Sequence, residues 1–413
     1  MPKKPKINEF SLAKIRVVGI GGGGSNAISR MSEVFPRGID LIAMNTDVQD
    51  LMNANARKKI QIGKNITKGL GTGMNPDLGR QAAEESRAEI ADALQGADLV
   101  FITAGFGGGS GTGASSVVAE IAKEMGILTV AVITKPFSFE GMKRSQIAEE
   151  GIMKIKDRVD TLITIPNDRI FSLINKDTSL MKAFEEIDEI LKNSVLGITE
   201  IITTPGIINI DFADVKAIIQ DGGPAIIGTG IATGPERSIK AANMALNSPL
   251  LEISIDGAKG VLFSISGHRD LKMNEVNEVA KLVAENVDPS AKIIFGTYYD
   301  RKLKKGQIKV TLVATGFNGS LSKSTVLFPG LFSVSPARQA IEARKNDGGS
   351  DIQNFHEKID TVPEFKKDEV SNLKEISLFN KKTADLPAQA SKKAKEDEVW
   401  DIPAFLRKKK KKK

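Results

Sequence analysis

The chain has 413 residues, 41% of them hydrophobic, and a formal net charge of +7 at pH 7. It has no cysteine, which excludes disulfides and thiolate metal sites, and its two histidines, His268 and His356, are too far apart in sequence to indicate a metal cluster. Because no run approaches the ~20 apolar residues of a membrane span and the first residues do not lead into a signal-peptide core, we expect a cytoplasmic protein.

The positive charge is concentrated at the carboxyl-terminal end of the chain. Residues 319–413 contain 20 basic and 14 acidic residues, and the sequence ends in six lysines, Lys408 to Lys413. The rest of the chain is therefore close to neutral, and we expect no nucleic-acid-binding face on the folded part. At ~100–200 residues per domain, the length predicts two domains and a tail.

Residues 1–13 form a short extension, after which residues 14–177 alternate short apolar segments with longer amphipathic ones. The short segments predict strands at 15–18, 41–44, 99–103, 128–133 and 161–165. The longer segments predict helices at 25–33, 77–94, 114–125 and 143–156. This alternation predicts an α/β domain with a doubly wound parallel sheet, whose ligands bind beyond the carboxyl ends of the strands.

A run of glycines follows the first predicted strand. The segment Gly19-Ile20-Gly21-Gly22-Gly23-Gly24-Ser25-Asn26 leads into the first predicted helix. Taken alone, it is compatible with a dinucleotide-binding turn in which Asp40, about 20 residues further on, contacts the ribose. A soluble oxidoreductase that uses a dinucleotide is therefore one alternative.

A second glycine-rich loop follows the strand predicted at 99–103. Six of the ten residues from Ala104 to Gly113 are glycine, and Ser110 and Thr112 alternate with them. Glycine lets consecutive N–H groups turn inward around phosphate oxygens, whereas a merely flexible turn needs only one or two glycines. Together with Gly69 to Gly73, these loops favour a nucleoside triphosphate over an extended dinucleotide.

The pattern changes after residue 177. Residues 178–203 predict a long central helix, and residues 204–318 predict a second, smaller α/β domain. The strands predicted there are 224–231, 260–266, 292–298 and 308–315, and the helices are 236–247 and 272–286. Residues 319–395 have no sustained apolar period and predict a disordered linker before the terminal segment 396–413.

These motifs together resemble the tubulin and FtsZ superfamily. The loop Gly107-Gly108-Gly109-Ser110-Gly111-Thr112-Gly113 is similar to its signature loop, and its surroundings resemble the bacterial FtsZ cell-division GTPases. The resemblance extends over about residues 10–317 and includes Gly21 to Asn26, Asn45 to Asp47, Gly69 to Pro76, Pro136 to Gly141, Asn167 to Arg169 and Asn209 to Asp214. One departure is Ser110, where the family usually has threonine; the hydroxyl is kept.

The resemblance implies a tubulin/FtsZ-like fold that binds GTP or GDP, with Mg²⁺ held by the phosphates rather than by a dedicated set of side chains. The implied nucleotide contacts are Gly22, Gly23, Gly24, Ser25, Asn26, Gly73, Gly107, Gly108, Gly109, Ser110, Gly111, Thr112, Glu140, Arg144, Asn167 and Asp188. Of these, Glu140 and Arg144 would lie near the ribose and phosphates, and Asn167 and Asp188 near the guanine.

A carboxylate at Asp188 suits guanine, because it can accept hydrogen bonds from both N1–H and the 2-amino group, which adenine does not offer. The alternatives are that Asp188 is a solvated helix acid and that Arg144 is an exposed cation at a helix start.

The catalytic residues that the resemblance implies are Asn209, Asp211 and Asp214, acting on the GTP of the neighbouring subunit. Carboxylates do not usefully crowd a triphosphate within their own pocket, because like charges repel. Two half-sites on opposite faces would give a head-to-tail contact that repeats without closing, which makes a filament. The alternative is that Asp211 and Asp214 are ordinary acids at a helix N-terminus.

The terminal segment resembles the family's short tail peptide that docks on membrane-tethering and regulatory division proteins. The candidate contact residues are Asp401, Ile402, Pro403, Phe405 and Leu406. The lysines that follow would add weak affinity for an anionic membrane. A filament of the septal ring at mid-cell is therefore the first hypothesis, and a tubulin-like GTP-binding regulator that forms no filaments is the remaining alternative.

Overall fold

The computed structural model describes residues 13–317, except 36–37, 176, 249–253 and 301. Almost all of the predicted extension 1–13, and the whole of the predicted linker 319–395 and of the terminal segment 396–413, lie outside the described residues. Within the described part, no helix combines the length and the apolar character that a membrane crossing needs.

Ten strands in this part form one sheet. In chain order they are β1 Ile15–Ile20, β2 Asp40–Asn45, β3 Lys58–Gln61, β4 Leu99–Gly105, β5 Leu128–Lys135, β6 Thr161–Pro166, β7 Gly223–Thr233, β8 Gly260–Gly267, β9 Lys292–Tyr299 and β10 Gln307–Thr315. Their spatial order is β3-β2-β1-β4-β5-β6-β7-β10-β8-β9. Neighbours from β3 to β7 are parallel, which confirms the predicted doubly wound sheet, whereas β10 is antiparallel to both β7 and β8.

Eleven α-helices connect the described strands. They are α1 Gly21–Met31, α2 Val48–Asn53, α3 Lys64–Thr67, α4 Pro76–Glu85, α5 Arg87–Leu94, α6 Ser110–Glu124, α7 Met142–Lys156, α8 Leu180–Thr203, α9 Phe212–Ile219, α10 Arg237–Leu246 and α11 Met273–Glu285. Two short 3₁₀ turns, Ser138–Glu140 and Asn167–Ser172, follow β5 and β6.

Two helices begin earlier than the sequence predicts, and both begin inside glycine-rich runs. The structure starts α1 at Gly21 rather than near residue 25, and α6 at Ser110 rather than near residue 114. The low helix propensity of glycine favours later starts for both helices, but the close packing of these segments outweighs it. A Cβ at Gly24 would lie 2.6 Å from the carbonyl oxygen of Thr103, so only glycine lets α1 approach the sheet this closely.

The helix predicted at 77–94 is two helices. The break is at Ser86, whose hydroxyl accepts a 3.1 Å hydrogen bond from the N–H of Gly63. The predicted long helix is α8, and the strands predicted in the second half are present as β7 to β10. The division of the chain into domains stays a prediction, since β6 and β7 pair across the predicted boundary.

The long helix α8 is packed on both sides. Its residues Leu191, Val195 and Ile198 share an apolar core with Phe101 of β4 and Val313 of β10. At 1.5 Å per residue, the 24 residues of α8 span roughly 36 Å. The helix therefore separates the segments that precede and follow it by roughly this length.

Candidate functional site

Two helix N-termini lie side by side at the carboxyl ends of neighbouring strands. β1 and β4 are paired, and α1 and α6 begin within a few residues of their ends. Neither helix has a side chain that caps its first N–H groups, whereas Asp47 caps α2 and Asn75 caps α4. Free N–H groups and the positive end of the helix dipole favour a bound anion at this edge.

The glycine loops fit against one another. The N–H of Gly109 donates a 2.7 Å hydrogen bond to the carbonyl of Gly73, and a Cβ at Gly109 would lie 2.6 Å from the carbonyl of Asn75. A Cβ at Gly21 would lie 2.9 Å from the backbone nitrogen of Gly111. The three predicted phosphate-binding loops are thus brought together.

Two glycines of these loops have no packing reason to be glycine. A Cβ at Gly108 would meet nothing nearer than 3.9 Å, and a Cβ at Gly22 would meet only the Asp50 carboxylate at 3.3 Å. Neither residue has a positive φ. A side chain at either position would occupy open space beside the loops, which leaves room there for a bound phosphate group.

Hydroxyl groups connect these neighbouring loops. The hydroxyl of Ser110 is 2.8 Å from that of Thr46 and 2.9 Å from that of Thr72. The hydroxyl of Thr112 accepts a 3.0 Å hydrogen bond from the N–H of Gly107. Ser110 and Thr112 therefore organise the loop, and their predicted direct contact with the nucleotide stays a prediction.

Three buried polar atoms near this edge have no hydrogen-bond partner among the residues that the structure describes. They are Ser25 Oγ in α1, Asn45 Nδ2 at the end of β2, and Asn167 Oδ1 just after β6. Buried polar groups are nearly always hydrogen-bonded, so each of these atoms indicates a ligand or a bound water. Asn45 and Thr46 were absent from the predicted contacts, although both belong to the motif that follows the second strand.

Glu140 and Arg144 lie together beside the glycine loop. Arg144 Nη1 donates to Glu140 Oε2 at 3.1 Å, and Glu140 Oε1 accepts from the N–H of Phe137 at 2.9 Å. A Cβ at Gly107 would lie 3.1 Å from the carbonyl oxygen of Arg144. This contact brings the predicted ribose and phosphate residues next to the loop 105–109.

The predicted guanine residues lie on two elements. Asn167 begins the 3₁₀ turn after β6, and Asp188 lies on α8, where Arg30 Nε donates to Asp188 Oδ2 at 2.9 Å. The Asp188 side chain is only 16% exposed, so the alternative of a solvated helix acid is wrong. Burial raises the pKa of Asp188 to about 6, opposed by the charge and hydrogen bond of Arg30.

An aromatic cluster adjoins these residues. Phe184, one turn before Asp188 on α8, meets Phe137 edge to face with ring centroids 5.5 Å apart. Phe139 stacks on the other side of Phe137 at 4.7 Å. Phe184 was absent from the predicted contacts, although its spacing of four residues from Asp188 could have placed both on one side of α8.

Asp40, the ribose acid of the dinucleotide alternative, lies at the wrong edge of the sheet. It begins β2, whereas the glycine loops follow strand ends, and its carboxylate pairs with Arg57 Nη1 at 2.9 Å. The dinucleotide interpretation therefore loses the residue it requires.

The predicted catalytic residues are at the far end of α8. Asn209, Asp211 and Asp214 are exposed, and in the described part of the chain no cation is paired with either aspartate. The Asp214 carboxylate accepts a 3.3 Å hydrogen bond from the N–H of Asp211, and Asn209 Oδ1 accepts a 2.6 Å bond from the N–H of Gly206.

The segment that carries these residues leads back to the amino edge of the sheet. After α9, the N–H of Gly223 bonds to the carbonyl of Asp160, just before β6, at 2.8 Å. The glycine loops are at the opposite, carboxyl edge. Within one subunit, the two sets of predicted residues are therefore not brought together. Among the residues that the structure describes, no group of three or more acidic or histidine side chains could hold a metal ion.

Comparisons with known proteins show the family of the chain. Residues 14–175 match the description "Tubulin/FtsZ family, GTPase domain", and residues 223–318 match "FtsZ family, C-terminal domain". An empty FtsZ dimer from the archaeon M. jannaschii is 48% identical, covers 74% of this chain and 88% of its own, and has a TM-score of 0.70. CetZ1 from Haloferax volcanii, a GDP-bound monomer, is 20% identical with a TM-score of 0.64 and is similar in fold.

Proposed function

Because the chain belongs to the Tubulin/FtsZ family of GTPases, which hydrolyse GTP, we propose that it polymerises head to tail and cleaves each GTP at the contact between two subunits. We further propose that these filaments form the cell-division ring and turn over with hydrolysis. The family is confirmed; the narrower bacterial group stays a prediction, since the similar structure is archaeal.

One observation carries the proposal. The glycine loops follow the carboxyl ends of β1 and β4, whereas Asp211 and Asp214 lie beyond the end of α8, a helix of 24 residues and roughly 36 Å. Both aspartates are exposed and, in the described part of the chain, no cation is paired with either, which supports a role on a neighbouring molecule. The relative from M. jannaschii was solved as a dimer, which supports self-association.

The phosphates would bind to backbone N–H groups of α1 and α6, where Gly22 and Gly108 leave room. Ser25 to Asn26, Gly73 and Gly107 to Thr112 would complete this cradle, with Glu140 and Arg144 toward the ribose. A Mg²⁺ ion bound to the phosphates would offset their negative charge. Such an ion keeps several waters and needs few protein ligands.

On the neighbouring subunit, the Asp211 and Asp214 carboxylates would accept hydrogen bonds from the attacking water and hold it in line with the γ-phosphate. Asn209 uses its Oδ1 within the loop, so its Nδ2 remains to donate to the water or to a phosphate oxygen. Phosphoryl transfer depends mainly on such positioning. Loss of the γ-phosphate would remove a bridge between subunits and weaken the filament.

The base would bind between Asn167 and Asp188. The ionised Asp188 carboxylate would accept from N1–H and the 2-amino group of guanine, and the buried Asn167 Oδ1 is free to accept as well. The ring of Phe184 would offer an apolar face for stacking. These contacts explain a preference for GTP over ATP.

The terminal segment would connect the filament to other division proteins. Asp401, Ile402, Pro403, Phe405 and Leu406 are the proposed contacts, and Lys408 to Lys413 would add weak attraction to an anionic membrane. We propose that the protein acts in the cytoplasm at mid-cell. The near-neutral charge of the rest of the chain gives no support for a nucleic-acid partner.

GTPase activity measured against protein concentration tests the proposal. A shared site predicts that activity per molecule rises from almost nothing as assembly begins, followed in parallel by light scattering with GTP and Mg²⁺. Equal specific activity in dilute and concentrated protein would contradict it. GTP binding without any GTP-dependent scattering would instead favour a regulator that forms no filaments.

A further inference from the structure

Arg30 links the helix of the first glycine loop to the guanine side of the site. Arg30 is in the last turn of α1, and its Nε donates to Asp188 Oδ2 at 2.9 Å. The Arg30 side chain is 43% exposed and that of Asp188 is 16% exposed. Arg30 thus contacts a predicted nucleotide residue from the solvent side, and it was not among the predicted contacts.

We propose that Arg30 is a positioning residue for base recognition, which orients the Asp188 carboxylate and keeps it anionic so that it accepts both hydrogen-bond donors of a guanine base. The proposal rests on the role of Asp188 proposed above and extends it. Arg30 need not touch the nucleotide to act in this way.

The hydrogen-bond count leaves the carboxylate available to a base. Arg30 bonds through Nε alone and to one oxygen alone, and in the described part of the chain no other hydrogen bond to the Asp188 side chain is present. A carboxylate offers about four lone-pair positions. Oδ1 and one lone-pair position on Oδ2 therefore remain to accept from N1–H and the 2-amino group. Asp188 can thus bind Arg30 and a guanine base at the same time.

The charge of Arg30 matters because the carboxylate is buried. Burial raises the pKa of Asp188 to about 6, the Arg30 charge lowers it, and Glu185 raises it. These are the charged groups facing Asp188, Arg30 from α1 and Glu185 from its own helix, with Arg30 Nη2 3.9 Å from Glu185 Oε1. Without Arg30 the pKa would rise toward neutrality, and a protonated carboxyl would lose part of its capacity to accept.

Affinity of the full-length protein for GDP, measured by calorimetry between pH 5.5 and pH 8.5, tests the inference without requiring assembly. In the unmodified protein, affinity should fall as pH decreases through about 6, because the base needs the anion. In Arg30→Gln the fall should begin at higher pH, with affinity reduced about threefold near pH 6.5, for a pKa about one unit higher, and hardly at all at pH 8.5. Arg30→Gln should reduce the affinity for IDP, whose base lacks the 2-amino group, less than the affinity for GDP.

Three variants separate this inference from general damage. Arg30→Lys keeps the charge and should restore most of the pH profile. Glu185→Gln should move the fall in affinity to lower pH, because it removes a like charge. Arg57→Gln breaks an Arg–Asp pair of the same 2.9 Å length at the other edge of the sheet and should leave the profile unchanged.

An Arg30→Gln profile that coincides with that of the unmodified protein would overturn the inference. The variant Asp188→Asn distinguishes a failure of the role of Arg30 from a failure of the proposed guanine contact. If Asp188→Asn loses GDP affinity while Arg30→Gln does not, only the role of Arg30 fails. If Asp188→Asn binds GDP normally, the proposed guanine contact itself is wrong.

Discussion

The two sets of candidate residues differ in how the protein holds them. At the carboxyl edge, the loops bond to one another, as Gly109 does to Gly73, and the hydroxyl of Ser110 joins two further loops. In the segment 204–214, Asp211 and Asp214 are exposed, their hydrogen bonds are local, and Ile207 is 58% exposed. Bonds between loops thus hold the first set in place, whereas the acids of the second set are exposed on a segment that is fixed to the sheet through the backbone of Ile207, Ile208 and Thr297.

Asp211→Ala is the most direct way to break this comparison. We expect GTP turnover to fall at least about a hundredfold, because a group that positions the attacking water is lost. GTP affinity should stay nearly unchanged, because the phosphates and the base contact the other half-site. Phosphate release and nucleotide binding, measured on the same preparation, check both.

Asp256→Ala, in an exposed part of the second half, is the matched control and should keep normal turnover. Loss of GTP binding in Asp211→Ala would contradict the assignment of this residue to the neighbour's nucleotide.

Two alanine substitutions in the glycine loop sharpen the comparison from the other side. Gly108→Ala meets no protein atom within 3.9 Å, so we expect unchanged thermal stability and GTP affinity reduced at least about tenfold by the methyl group in the phosphate space. Gly109→Ala would place its Cβ 2.6 Å from the Asn75 carbonyl, so both stability and affinity should fall. Equal GTP affinity in Gly108→Ala and the unmodified protein would count against the phosphate cradle.

Substitutions at Asp214 test whether this carboxylate takes part in GTP hydrolysis or only stabilises the N-terminus of α9. Asp214→Asn keeps an oxygen that can accept from the N–H of Asp211, so the free energy of unfolding should change little, while turnover should fall at least about tenfold with the charge. Asp214→Ala should cost a further ~1 kcal/mol of stability through the lost N-terminal hydrogen bond. Normal turnover in Asp214→Asn would leave the helix-acid alternative as the better account.

Substitutions at Ser110 test the bonds that hold the first set in place. Ser110→Ala removes the partner of both Thr46 and Thr72, which are buried, so we expect a loss of about 1–3 kcal/mol in unfolding free energy and GTP affinity several times weaker. Ser110→Thr keeps the hydroxyl and should stay close to the unmodified protein. Chemical denaturation with and without GDP measures both effects.

The sequence predicted the strands well because most of them are apolar runs. The predicted ends of β4 and β5, and the predicted start of the long helix α8, lie within two residues of those in the structure. The short edge strand β3, with three polar residues in Lys58–Gln61, has no such pattern, and α2 and α9 are too short for a clear period. The starts of α1 and α6 were wrong because the packing of glycine against neighbouring backbone overrides propensity.

The candidate site was predictable only in part, for a related reason. Glycine-rich loops are visible as local runs, and the order of the strands then brings them to one edge. The bonds of Ser110 to Thr46 and Thr72, and of Arg30 to Asp188, join residues 38 to 158 positions apart. Such pairs depend on the tertiary fold, and no local pattern in one sequence indicates them.

The second half of the chain also contains acidic residues that are paired with a buried cation. They give the prediction with the smallest expected effect on GTP turnover. Arg237, 7% exposed, bonds to both Asp270 and Glu275, and these contacts lower the pKa of each carboxyl. A lowered pKa stabilises the fold above the ordinary pKa of the group, and that stability is lost as pH falls through the lowered value.

The free energy of unfolding should therefore fall as pH decreases below about 4.5, where unfolded Glu and then Asp take up protons. Arg237→Gln should cost about 2–3 kcal/mol at neutral pH, because two partly buried carboxylates lose their cation, and should flatten this acid dependence. Turnover per folded molecule should stay the same, because the bonds of Arg237 in the described part of the chain are to Asp270 and Glu275 and not to the glycine loops, Asp211 or Asp214. A large loss of turnover in folded Arg237→Gln would mean that the two kinds of acid are not independent.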